Sequence, residues 1–168
     1  PAGIGILAIR NSTARKNPLP NLGIRRTPES SSLPLLLASA VALDDWIKEE
    51  KSESLRINDL NKLVRQSLSD ANIGIHFAGF VSESVGQTIA LVADGCVGED
   101  LVRQLNEMHF VLDSGSACTA AQMQPSHVLA AMGIQSEGNL RITLHHGVTE
   151  AEVRELISAI TLVVQQSR

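Results

Sequence analysis

From Ser54 to the C-terminus the apolar residues switch repeatedly between two spacings, and this alternation limits the fold more than any other feature. Leu60, Leu63, Val64 and Leu68 recur at helical spacing and predict a helix over Ser54–Ala71. Ile73–Phe80 and Thr88–Ala93 are short apolar runs with strand character, joined by a hairpin-like loop at Ser82–Gly86. Leu101, Val102 and Leu105 mark the inner side of a helix over Glu99–Met108. Its acidic first turn, Glu99-Asp100, suits the positive end of a helix dipole. Phe110–Leu112 is a further short strand by composition, and Pro125-Ser126-His127 opens a short helix that stops at Gly133. Asn139–His145 alternates Leu140, Ile142 and Leu144 with Arg141 and Thr143, the period of a strand with one buried face. Thr149 and Glu152 form a capping box, and Val153, Leu156, Ile157, Ile160, Val163 and Val164 give the last helix its buried side. Short strands interleaved with helices predict a small α+β sandwich, a sheet with helices on one face.

The N-terminal part has a different character. Gly3–Arg10 carries Ile4, Ile6, Leu7 and Ile9 and predicts a buried strand with a glycine entry. Asn11–Ser32 is a long connection rich in Pro, Gly, Asn and Ser. Leu33–Lys51 predicts a separate helix, with Leu35, Leu36, Ala40, Leu43 and Ile47 at helical spacing and charges gathered at its end. The boundary falls at Glu49–Glu53, which divides the chain into residues 1–50 and 51–168.

Composition excludes several classes of function. Only 2% of the residues are aromatic and none is tyrosine, so the core must be built from Leu, Ile, Val and Ala. That also removes the stacking platform on which single-stranded nucleic acids bind. A net charge of −4 implies no phosphate-binding surface, so nucleic acid is not an expected partner. No apolar run approaches the ~20 residues of a membrane span, so no membrane partner is expected. Two cysteines, Cys96 and Cys118, make no disulfide scaffold, and with no secretory pattern the expected location is the cytoplasm.

Chemistry concentrates in Val111–His127. An apolar entry leads into Ser114-Gly115-Ser116-Ala117, small residues that shield nothing behind them, and then Cys118. A thiol on such a loop can reach outward, although by spacing alone it is equally a loop cysteine without chemistry. Arg141 is a second candidate, and its ordinary reading is an arginine on the solvent face of an edge strand. His127 could assist Cys118 or face solvent. His145 and His146, adjacent on a strand, would point to opposite faces and make poor joint metal ligands. Cys96 lies at a turn, in Asp94-Gly95-Cys96-Val97-Gly98, and reads as a half-buried small residue.

Ser114-Gly115-Ser116-Ala117-Cys118-Thr119, Pro125-Ser126-His127-Val128-Leu129, Met132-Gly133 and Leu140-Arg141-Ile142 occur in this order. Together they resemble the C-terminal part of the cysteine desulfurases, pyridoxal-phosphate enzymes of the class V aminotransferase group. The opening Pro-Ala-Gly-Ile-Gly-Ile-Leu-Ala-Ile-Arg is similar to the family segment just after the lysine that carries the cofactor. The resemblance implies an α/β protein overall, a fold type I pyridoxal-phosphate transferase. Residues 1–50 would be the end of the large domain and its linking helix, and 51–168 the small C-terminal α+β domain.

It further implies that Cys118 receives sulfur from L-cysteine as a persulfide, with release of alanine, and that Arg141 binds the substrate carboxylate. A planar fork of donors matches a carboxylate in two-point fashion. In the family a Gly-Thr pair contacts the cofactor phosphate of the neighbouring subunit. Here that pair is absent; Ser32 is the best positional match and Thr27 the alternative, while Ser31 or Ser32 could equally cap the following helix. The implied partners are L-cysteine, a sulfur-acceptor or scaffold protein of iron–sulfur cluster assembly or another sulfur-donation route, and a second copy in a homodimer. The cofactor lysine is expected ahead of Pro1, so the chain is expected to be a piece of a longer protein, without turnover by itself. The alternatives are a cofactor-free sulfur-carrier or interaction module, and another class V aminotransferase or cysteine lyase.

Overall fold

The computed structural model describes residues 5, 10, 32–80, 85–114, 127–134 and 137–168. The strand expected over Gly3–Arg10, apart from Gly5 and Arg10, lies outside the described residues. So do the connection at 11–31 with Thr27, the turn at 81–84 and the segment 115–126 with Cys118.

The chain forms two compact units, Pro1–Lys51 and Ser52–Arg168. The elements are α1 (Leu33–Asp70), β1 (Ile75–Ala78), β2 (Thr88–Ala93), α2 (Gly98–Glu107), α3 (His127–Ala131), β3 (Asn139–Thr143) and α4 (Glu150–Gln166). The two helices expected over Leu33–Lys51 and Ser54–Ala71 are thus one continuous helix. No Gly or Pro occurs between Leu35 and Ile73, and the serines at 52 and 54 do not break a helix on their own. Successive ion pairs, Lys48 with Asp44 and Arg56 with Glu53, add support along it.

In the second unit the sheet has the order β1-β2-β3, and both pairings are antiparallel. Its register sets Ile89 opposite Ile142 and Leu91 opposite Leu140. These four face the core, where they meet Val64 and Leu68 of α1, Leu101 and Leu105 of α2, and Ile160 and Val164 of α4. Burying an aliphatic side chain contributes roughly 1.5–3 kcal/mol, so this aliphatic interior supplies the driving force in the near absence of aromatics. The helical and strand periods named from the sequence therefore converge on one interior. Cys96 is part of it, more buried than its turn position suggested.

The strands are shorter than the apolar runs. β1 occupies only Ile75–Ala78 of the expected Ile73–Phe80, because Gly74 and Gly79 take φ of +61° and +72° and turn the chain. β3 stops at Thr143, so His145 and His146 are not strand residues. Phe110–Leu112 is not a strand: its neighbour Asp113 makes a single isolated bridge to Arg141, and Val111 is 90% exposed. At the other end of β3, Gly138 lies directly against the backbone of Ala93 and accepts its N–H at 2.9 Å. α4 opens with the expected capping box. The Thr149 hydroxyl accepts from the Glu152 N–H, and the Glu152 carboxylate accepts from the Thr149 N–H. Gly133, with φ of +72°, ends α3 as its sequence position indicated.

Candidate functional site

Arg141 owes its position to the alternation of β3. Leu140 and Ile142 point into the core, which turns the residue between them to the opposite face of the sheet. On that outer face Ala78 of β1, Ala90 of β2, Arg141 of β3 and Asp113 form one cross-strand row. On one side of Arg141 the row carries only the two small alanines. On the other side stands Asp113.

Main-chain and side-chain contacts join Arg141 to Asp113. The Arg141 N–H donates to the Asp113 carbonyl at 2.7 Å, and the Asp113 N–H donates to the Arg141 carbonyl at 3.3 Å. Residues that exchange both bonds lie directly opposite one another, with their side chains on the same face. The Arg141 Nη2 donates to the Asp113 Oδ2 at 2.5 Å. Both side chains remain open to solvent, 38% exposed for Arg141 and 59% for Asp113. Arg141 is therefore a cation on an accessible face, joined to a carboxylate through one of its guanidinium nitrogens. Asp113 escaped the sequence reading. Its signal was a lone carboxylate between the apolar Val111-Leu112 and the run of small residues before Cys118.

His145 and His146, the other described candidates of the second unit, have partners other than this pair. Ser32 is exposed and stands just before α1, where its carbonyl accepts from the Leu36 N–H at 3.0 Å. By that backbone contact Ser32 stands at the N-cap position of α1. Cys118 and Thr27 lie outside the described residues. His127 begins α3, and its side chain is outside them as well. His145 is exposed and its Nδ1 lies 2.9 Å from the His146 carbonyl. Among the described residues, no three His, Cys, Asp or Glu side chains gather as metal ligands. No helix among them is long and apolar enough to cross a membrane.

An open concavity of about 770 Å³ lies elsewhere, lined by Glu53, Arg56, His146, Val148, Glu150 and Arg154 among others. Its charges are spent on one another. Arg56 grips the buried Glu53 carboxylate with two bonds of 2.7 Å, His146 Nδ1 lies 3.1 Å from the same carboxylate, and Arg154 pairs with Glu150. Hydrogen bonds from Arg56, working against burial, hold Glu53 well below the usual carboxylate range, at about 2. The network joins α1 to the loop after β3 and is structural in character, so size alone does not make this concavity the active site.

The fold has counterparts among solved structures. It is similar to that of a NifS-like protein, with a TM-score of 0.68 and 20% identity over 83% of this chain and 35% of the other. It is also similar to a NifS-like protein from Rickettsia africae, with a TM-score of 0.59 and 19% identity over 77% of this chain and 32% of the other. These likenesses show the fold: a small α+β domain like the corresponding part of those NifS-like proteins. No family model matches the chain. Several sequence relatives nevertheless match it over its whole length. It is 26% identical to the cysteine desulfurase NifS of Azotobacter vinelandii and 30% identical to an IscS-like cysteine desulfurase of Mycobacterium tuberculosis. The chain is similar to these two cysteine desulfurases along its whole length. It spans 43% and 44% of the length of those two relatives.

Proposed function

We propose that this chain is the C-terminal portion of a cysteine desulfurase that moves sulfur from L-cysteine onto Cys118 and releases alanine. The observation that carries the proposal is similarity along the entire chain to proteins named as cysteine desulfurases. Pyridoxal phosphate, when bound, supplies the electron sink that lets the carbon–sulfur bond of the substrate break. The residues of this chain do the rest. Arg141 holds the substrate carboxylate on the outer face of β3, as its grip on Asp113 illustrates. The Cys118 thiolate attacks the substrate sulfur; a sulfur–sulfur bond forms as the carbon–sulfur bond is lost. Cys118 is left as a persulfide; the electron pair of the broken bond stays with the substrate's β-carbon, which takes up a proton, and the skeleton leaves as alanine. An acceptor or scaffold protein with its own thiol takes the outer sulfur, for iron–sulfur cluster assembly or another sulfur-donation route.

In this reading residues 1–50 finish the large cofactor-binding domain and 51–168 form the small domain. Ser32, or Thr27, contacts the cofactor phosphate of the neighbouring subunit in a homodimer, and the assembled enzyme works in the cytoplasm. The test uses the full-length natural protein. It binds pyridoxal phosphate with a visible absorbance band and releases alanine from L-cysteine. Cys118→Ser keeps the band and the substrate-induced spectral change but passes no sulfur to an acceptor thiol. A full-length protein that stays colourless with added cofactor overturns the proposal.

A further inference from the structure

The geometry points to Asp113 as a built-in competitor for the carboxylate site of Arg141, and so as a residue that sets how tightly the enzyme binds its amino-acid substrate. This rests on the proposed role of Arg141 and goes beyond it by assigning a role to a second side chain.

Three observations carry it. First, Asp113 Oδ2 sits 2.5 Å from Arg141 Nη2 and so occupies one of the donors that a substrate carboxylate would draw on. Second, the pair faces solvent, with side chains 38% and 59% exposed, unlike the Glu53 carboxylate, whose side chain is only 9% exposed. An ion pair this open holds its members weakly, so one carboxylate readily replaces another. Third, Asp113 cannot drift away, because the two backbone hydrogen bonds with Arg141 fix its main chain on the edge of β3. A tethered carboxylate acts at a high effective concentration and competes whenever the site is empty.

The consequence is quantitative. A ligand that binds only the fraction of sites left open has its apparent dissociation constant raised by the inverse of that fraction. For an exposed pair the penalty is about two- to five-fold. It falls on every ligand that uses the carboxylate contact and on none that lacks it. Asp113 therefore weakens all carboxylate ligands by the same factor and narrows the margin by which they outbind ligands without a carboxylate.

The experiment compares full-length wild type with Asp113→Asn, Asp113→Ala, Arg141→Ala and the Asp113→Asn/Arg141→Ala double variant, all loaded with cofactor. Both Asp113 substitutions leave the main-chain bridge available, and Asn also keeps the size of the side chain. Three quantities are measured: KM for L-cysteine, the dissociation constant of L-alanine by equilibrium dialysis, and that of cysteamine, which has the amine and thiol without the carboxylate. Either Asp113 variant is expected to lower the first two by about two- to five-fold and leave cysteamine unmoved. In the Arg141→Ala background the Asp113→Asn change should have no further effect. If Arg141→Ala weakens both carboxylate ligands but neither Asp113 variant strengthens them, the competitor role is wrong while the reading of Arg141 stands. An equal gain for cysteamine also overturns it. If Arg141→Ala leaves both carboxylate ligands unaffected, the role of Arg141 itself is wrong and this inference falls with it.

Discussion

Replacing Glu53 with glutamine isolates the electrostatic contribution of one buried carboxylate. Glu53 accepts from Arg56 Nε and Nη2, both at 2.7 Å, and His146 Nδ1 lies 3.1 Å away. Arg56 reaches on to donate to the Val148 carbonyl at 2.5 Å, which ties α1 to the segment leading into α4. Breaking a fully buried ion pair costs about 3–5 kcal/mol, and breaking an exposed one about 0–1 kcal/mol. Here the carboxylate is inside, but the side chains of Arg56 and His146 are 37% and 63% exposed and can recover hydration. Glu53→Gln should therefore cost on the order of 1–2 kcal/mol at pH 7. For a chain of this size that is a fall in Tm of about 2–8 °C. The carboxylate is held at about 2, below its ordinary value of 4.5, so ionisation favours the folded state. That stabilisation is fully present above pH 4.5 and is lost as pH falls towards 2, since the unfolded state takes up the proton first. Urea titrations of wild type and Glu53→Gln at pH 7, 5, 4 and about 3 read the effect directly. The gap between them should be constant from pH 7 to 5 and narrow below. A gap under about 0.5 kcal/mol at pH 7, or one unchanged down to about pH 3, refutes the assignment of Glu53 as an ionised brace.

Two further substitutions probe the frame around the site. Gly138→Ala would set its new methyl group into the Ala93 carbonyl oxygen, part of the backbone rather than a side chain that can turn away. It should destabilise by about 1–3 kcal/mol in denaturant titration, with lower hydrogen-exchange protection at Ala93, and a neutral outcome would show that β2 and the entry to β3 are not in close contact. Thr149→Ala removes the hydroxyl that accepts from the Glu152 N–H and should cost about 1 kcal/mol. No loss of stability there would mean that α4 is held by packing alone.

The sandwich was legible in the sequence where period and burial agreed. The alternation of Leu140, Ile142 and Leu144, and the helical spacing of Val153, Leu156, Ile160 and Val164, report a one-sided interior directly, and all seven side chains are buried. The capping box was equally legible, because Thr149 and Glu152 need only local spacing to find each other. Element ends were not. The break expected near Ser52 rested on a cluster of charges, which a helix tolerates on its solvent side. Phe110–Leu112 looked like a strand, but three apolar residues do not indicate whether a partner edge is within reach. The outward placement of Arg141 was legible in the same alternation, between buried Leu140 and Ile142. Asp113 was not, since the pair joins positions 28 residues apart and only the register of the bridge brings them together.

The central claim is that Cys118 receives sulfur. The direct measurement is intact mass and peptide mapping of the full-length, cofactor-loaded protein after brief exposure to L-cysteine labelled with a heavy sulfur isotope, before any acceptor thiol is added. The account predicts one added heavy sulfur on the peptide carrying Cys118, lost on treatment with a thiol reductant and absent from Cys118→Ser. Labelled sulfur on the Cys96 peptide instead, or acceptor-directed sulfur transfer at the full rate by Cys118→Ser, would contradict it.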